Sequence, residues 1–447
     1  MDILSLLSCF QLLAPKTALG QLTHIAQALL TISGRITMRS ISRWTERGGS
    51  YRTIQRFFAC RLEWPSLLVR FFETHLFDSE HEYLLAGDAT TVSKAGRQTY
   101  GLDRFFCSVI GQAICGLEFF VFSVVSLSER VAYPVAVKQM VRSAQEKAAT
   151  RERKERKKRR AGKAAARRGR PAGRRNKAKD ELSLSPELER ISQLLKLTVK
   201  LLRRFVRVKY LALDGYFGHW QAVLMARSAG LQLISKLRAD TRLFEPFSGQ
   251  YSGRGRRRTY GARLRVDLLP VRYLKKSEQS GSIVTLYYQG VFLHPEFGTP
   301  LAVVIIRKLN RETRKAATVV LFSSDPALEY EKVIDYYSLR FQIEFNFRDA
   351  KQHFGLEDFM TKTELGIEGA ANLSFLMLQI SAKLIKQSKG RIVGINDLKT
   401  HYRGVKYALE TIKLVLEKPE PILIETIKEQ IGRIGSIHYK KAASTSA

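Results

Sequence analysis

Apolar residues in the first eighty positions recur every three or four residues, the spacing of amphipathic helices. Thr37 to Arg47, the pair Gly48-Gly49 and then Ser50-Tyr-Arg-Thr-Ile-Gln-Arg-Phe-Phe-Ala predict helix, glycine turn, N-cap and second helix. In that second helix Ile54, Phe57 and Phe58 fall on one face. Arg52, Thr53, Gln55 and Arg56 are left on the other. Such a pair either presents its free face to DNA or belongs to a helical bundle that braces the rest of the chain. From residue 81 the period shortens to two. Tyr83 to Asp88, Gln98 to Gly111 and Ala113 to Ser128 predict three neighbouring antiparallel strands. A helix from Ser185 to Phe205 follows, then a strand from Val208 to Asp214, a helix from His219 to Ser228 and a strand from Leu231 to Leu237. Alternating strands return at Ala262 to Leu268, Ser282 to Phe292, Leu301 to Lys308 and Ala317 to Ser323, and the chain is helical beyond residue 331. The expected organisation is therefore α/β: a helical region over 1–80, a first core part over 81–237, a β-rich insertion over 238–330, a second core part over 331–390 and a helical tail over 391–447.

Charge narrows the class of partner. Lys and Arg number 75 against 41 acids, a formal charge of +34, which points to a polyanion and first to nucleic acid. Residues 142–179 hold 18 Lys and Arg against three Glu, a balance of +15, with hardly any apolar side chain. That segment, within 142–180, reads as a disordered basic insertion with no reason to pack, one that permits partial helix and binds DNA without reading bases. The loop Gly253-Arg-Gly-Arg-Arg-Arg-Thr adds Arg254, Arg256, Arg257 and Arg258, either as phosphate contacts or as a solvated hairpin tip. Cys9, Cys60, Cys107 and Cys115 show no metal-site spacing and read as reduced core residues. Met-Asp-Ile opens the chain without a basic stretch, against a signal peptide, and the apolar run from Phe105 to Ser128 is broken by Gly111, Gly116 and Glu118. Two strands explain it better than a membrane span, so a cytoplasmic, nucleoid-associated protein with no membrane partner is expected.

The densest chemistry lies in Tyr337-Ser-Leu-Arg340-Phe-Gln-Ile-Glu344-Phe-Asn-Phe-Arg-Asp-Ala-Lys351. On one continuous helix Tyr337, Arg340, Glu344 and Lys351 fall within an arc of about 60°. Ile334, Phe341 and Phe345 flank the stripe on one side and Leu339, Ile343 and Phe347 on the other, which reads as a largely buried helix. A buried stripe with a carboxylate, two cations and a phenol requires a polar partner, such as a metal ion on a phosphate backbone.

This spacing resembles the signature of DDE transposases of bacterial insertion-sequence family four and its relatives, over roughly residues 83–360. The resemblance implies an RNase H-like catalytic core with a β-rich insertion, a helical N-terminal DNA-binding domain and a helical C-terminal tail that pairs two protomers on two DNA ends. Three strands, a helix and a strand in that order are what such a core requires. It also implies two further acids at strand ends, for which Asp88 in Gly-Asp-Ala-Thr-Thr and Asp214 in Leu-Asp-Gly-Tyr-Phe are the candidates. With Glu344 they would be the catalytic residues and would hold two Mg2+ ions, Mn2+ being able to substitute, while Tyr337, Arg340 and Lys351 would contact phosphates. The expected partners are double-stranded DNA, as terminal inverted repeats and as target, and a second copy of the chain. The expected activity is cleavage at transposon ends with strand transfer into target. A metal-dependent, structure-selective endonuclease of similar fold and a non-catalytic DNA-binding regulator are the alternatives. Hairpin-forming relatives stack a flipped base on tryptophan in the β-insertion, whereas here Trp44, Trp64 and Trp220 all lie outside it.

Overall fold

The computed structural model describes residues 3–45, 49–107, 110–161, 182–251, 253, 255, 257–266, 268–413 and 420–434. Arg254, Arg256 and the basic stretch 162–181 lie outside these residues.

Five helices open the chain: α1 (Ile3–Leu7), α2 (Lys16–Thr31), α3 (Met38–Trp44), α4 (Tyr51–Ala59) and α5 (Trp64–His75). Local chemistry fixes their starts. Thr37 and Ser40 form a reciprocal capping box on α3, and Ser50 accepts from the Thr53 amide at 3.3 Å to start α4. Ile54, Phe57 and Phe58 are buried while Arg52, Gln55 and Arg56 stay exposed, as the spacing requires.

Next come β1 (Tyr83–Ser93), β2 (Asp103–Cys107), β3 (Gln112–Ser126) and β4 (Val131–Gln139), then α6 (Ala144–Ala161) and α7 (Pro186–Leu202). The second half of the sheet supplies β5 (Tyr210–Ala212), α8 (Trp220–Ser228) and β6 (Gln232–Leu237). A side hairpin of β7 (Leu243–Pro246) and β8 (Tyr260–Leu264) precedes β9 (Leu274–Ser280), β10 (Ile283–Phe292), β11 (Leu301–Asn310) and β12 (Ala316–Ser323). The helices α9 (Tyr330–Leu339), α10 (Gln342–His353), α11 (Glu364–Gln387), α12 (Ile395–Lys413) and α13 (Pro421–Ile434) complete the order.

Ten strands form one mixed sheet in the order β2-β3-β1-β5-β6-β12-β11-β10-β9, with β4 also on β3. Among the described residues only β1, β5 and β6 run parallel to one another, at the centre. The strands beyond residue 240 extend this same sheet, because β12 pairs antiparallel with β6 from Val320↔Leu237 to Ser323↔Ile234. Helix α11 is apolar nearly all round, from Ile367 to Leu384, and is buried between α10, β4 and the N-terminal helices. The N-terminal helices and the sheet consequently share one core. The tail is fastened to it as well, since Lys399 donates to the His353 carbonyl at 2.8 Å and Arg403 reaches the Thr31 carbonyl at 3.3 Å. Among the described residues no helix is long and apolar enough to cross a membrane.

Candidate active site

Asp88 stands inside β1, not at its end as the sequence pattern suggests. The strand continues to Ser93 because β3 pairs with it throughout, from Tyr83↔Ser126 to Ser93↔Gly116. What stops near Asp88 is the parallel ladder to β5, whose last registered pair is Ala86↔Ala212. Two residues further along each strand are Asp88 and Asp214, so the two acids leave the same face of the sheet where the strands part. Asp214 caps a single 3-10 turn, Gly215–Phe217, accepting from the Tyr216 amide at 3.2 Å. Its carbonyl takes a 2.6 Å hydrogen bond from the buried Ser235 hydroxyl on β6.

The glutamate arrives on α10, and here the expectation of one continuous buried helix is corrected. The signature spans two helices joined at Arg340-Phe341 by a tighter turn, in which the amides of Phe341, Ile343 and Glu344 donate to carbonyls three residues back. One flank is buried as expected, with Leu339, Ile343 and Phe347 in the core. The other is not: Phe341 is 53% exposed and Phe345 39%. These two rings pack edge to face with centroids 5.5 Å apart, and the Arg348 guanidinium lies 5.0 Å over Phe345.

Arg340 links two of the acids. Its guanidinium is paired with Asp88 through Nη1, and that nitrogen lies 4.0 Å from the Glu344 carboxylate. Asp88 and Arg340 are both largely buried, whereas Glu344 is half-exposed. Burial pushes the Asp88 carboxyl up to about 6. Arg340 and the Ala89 amide oppose the rise, and the charges of Asp214 and Glu344 add to it. Asp214 is raised for the same leading reason, with Arg340 again opposing. Tyr337 is raised by burial, and it too feels Arg340, Asp214 and Asp88. One cation thus balances a cluster of acids that desolvation disfavours in charged form. The Nε of Arg340 is buried without a partner, an orphan donor that suits an anion entering the cleft.

Lys351 sits two turns beyond Glu344. It donates to the Thr91 carbonyl on β1 at 2.9 Å and lies 3.3 Å from the Glu357 carboxylate, so it ties α10 to the strand that carries Asp88. Three carboxylates are hard oxygen donors of the class that magnesium prefers. As they stand they are not a closed cage: among the described residues no group of three or more His, Cys, Asp or Glu is close enough to hold an ion, and Asp88 is neutralised by Arg340 instead.

The remaining basic candidates are dispersed. Arg52 and Arg56 are exposed on α4, but the groove of about 940 Å³ beside it is lined, besides Gln55, by Arg39, Arg43 and Lys362, which the helix pattern alone did not single out. Arg257 and Arg258 are exposed between β7 and β8, where Arg258 bonds the Tyr260 carbonyl at 2.9 Å and lies over Phe247. Ser235 and the 3.1 Å bond from the Tyr216 hydroxyl to Glu187 were not legible in the sequence, because both join segments far apart in the chain.

One acid inside β1, one just past the end of β5 and one on a following helix thus lie near a largely buried arginine on a mixed α/β sheet. Residues 6–287 match the model of the DDE superfamily endonucleases, well over half the chain, and the protein belongs to that family. The matched stretch contains Asp88 and Asp214 and ends before Glu344. No curated protein matches the chain.

Proposed function

We propose that this protein is a DNA transposase of the insertion-sequence family four type, cutting at the ends of its element and joining the freed 3′-hydroxyl to target DNA. The observation that carries the reading is Arg340 paired with Asp88 and 4.0 Å from Glu344, with Asp214 beside them where two parallel strands part and within reach of the same positive charge. Support also comes from strand order. The run β4-β3-β1-β5-β6, with parallel pairing only among the last three, is the order an RNase H-like core requires. Asp88, Asp214 and Glu344 would hold two Mg2+ ions once Arg340 turns from Asp88 to a phosphate; bound there, the metals supply a nucleophile at neutral pH and neutralise the leaving oxygen. The chain's own groups do the positioning. Arg340 offers its unpartnered Nε to a phosphate oxygen, Lys351 fixes α10 against β1, and Tyr337 walls the cleft beside Arg340, whose guanidinium lies 5.9 Å from its ring. In the first step water oxygen bonds to phosphorus as the 3′-oxygen leaves. In the second that 3′-hydroxyl attacks a target phosphodiester, and the target's own 3′-oxygen leaves.

The partners follow from this reading: paired element ends, target duplex and a second protomer. An endonuclease without strand transfer performs only the first step, and this separates the two readings. Purified protein incubated with Mg2+, a duplex ending in the element's terminal repeat and a supercoiled plasmid should yield plasmid covalently joined to the labelled 3′ end. Cleaved ends with no joined product would leave an endonuclease.

A further inference from the structure

The helix α6 begins at a well-built base. Ser143 and Glu146 cap each other's amides at 2.7 and 3.2 Å, and Arg190 of α7 grips Glu146 with two hydrogen bonds of 2.9 and 3.0 Å. Asp103 at the start of β2 lies 3.6 Å from Arg142 and 3.8 Å from Lys147, and Arg142 stacks over Phe105. Glu146 and Arg190 are both mostly shielded from water, so this clip is more than a surface ion pair. Beyond it the helix has no apolar face. The sequence Arg151-Glu-Arg-Lys-Glu-Arg156 is exposed throughout and continues into Lys157-Lys-Arg-Arg160. A helix polar all round has nothing to bury against protein or lipid. Its residue types favour helix, and Glu four residues before Arg, as in Glu152 and Arg156, supports it without tertiary help.

The clip is close to the catalytic cleft. One turn before Arg190 on α7, Glu187 accepts the Tyr216 hydroxyl from the turn that Asp214 caps. The first two turns of α7 therefore hold α6 through Arg190 and the Asp214 turn through Glu187.

We propose that α6 is a second DNA-contact surface, a charged rod that neutralises backbone phosphates without reading bases, and that the Glu146–Arg190 clip fixes where along the duplex it lands relative to Asp214. The occupant is duplex DNA on grounds of charge complementarity, and the inference rests on the reading of the chain as a DNA enzyme. Binding tests it without reference to cleavage. In a salt titration with a random duplex, the variant Arg151→Gln/Arg153→Gln/Lys154→Gln/Arg156→Gln should keep its helix and flatten the slope of log K against log salt by about 2 to 3.5, near 0.9 per phosphate released. A photo-crosslinker at position 149 should mark a window of a few nucleotides, which spreads in Glu146→Gln/Arg190→Gln while that variant's salt slope stays within about half a unit of wild type. An unchanged slope in the four-Gln variant, or loss by that variant of binding to anionic phosphatidylserine vesicles instead of DNA, would overturn the proposal. An unchanged crosslink window in the clip variant would overturn the role of the clip. Failure of the wild-type protein to bind duplex at all would instead remove the transposase reading beneath it.

Discussion

At the scale of single residues, a buried acid outside the proposed site is as informative as those within it. Glu118 lies on β3 opposite Thr91, three residues from the Asp88 partner Val121 and so on the other face of the sheet. Burial pushes its carboxyl up to about 7, and Glu187 adds to the rise while Arg142 and Arg190 oppose it. Its folded-state value exceeds the ordinary 4.5, so the native protein holds this proton more tightly than the unfolded chain. Below about pH 4.5 the group then costs nothing; as pH rises through 7 its ionisation removes stability. Glu118→Gln should gain about 1–3 kcal/mol at pH 8 and nothing at pH 4, read from urea midpoints across that range. A gain of equal size at both pH values would point to packing rather than charge. The candidate acids could be named because a strand-end pattern and a spacing are local: Asp88, Asp214 and Glu344 each stood out in their own segment. The pairing of Arg340 with Asp88 was not legible, since 252 residues separate the two and no periodicity reports a contact across that distance.

Elements were legible where one face is wet and one dry. The cores of α4 and α7 follow their periods, and Ser50, Ser185 and Thr363 cap helices as their residue types predict. Two failures share a cause. The break at Arg340-Phe341 and the continuation of β1 beyond Asp88 are imposed by neighbours, respectively the core that takes Leu339 and Ile343 and the long partner β3. Gly116 shows how tightly β3 meets β1. A Cβ there would sit 2.2 Å from the Val92 carbonyl oxygen, next to the Thr91 carbonyl that Lys351 grips. Backbone cannot yield as a side-chain tip does, so Gly116→Ala should cost about 1–3 kcal/mol and lower the urea midpoint. A midpoint equal to wild type would mean that the two strands separate there at no cost.

For the molecule as a whole, the sequence divided the chain into core, insertion and tail, whereas the structure runs one sheet and one apolar core from the N-terminal helices to α11. Strand pairing between β6 and β12 joins segments some eighty residues apart and depends on which edges remain unpaired after folding, information that local pattern does not hold. A continuous sheet suits the proposed chemistry, because phosphodiester cleavage needs acids from three elements held at fixed separation. The most direct test of that claim separates binding from chemistry. Asp88→Asn, Asp214→Asn and Glu344→Gln should each remain folded by circular dichroism and bind an end-containing duplex within about threefold of wild type. In Mg2+ each should cleave it slower by a factor on the order of 10³ or more, because each removes a charge on which transition-state stabilisation depends. Wild-type cleavage by any one of the three folded variants would contradict the account.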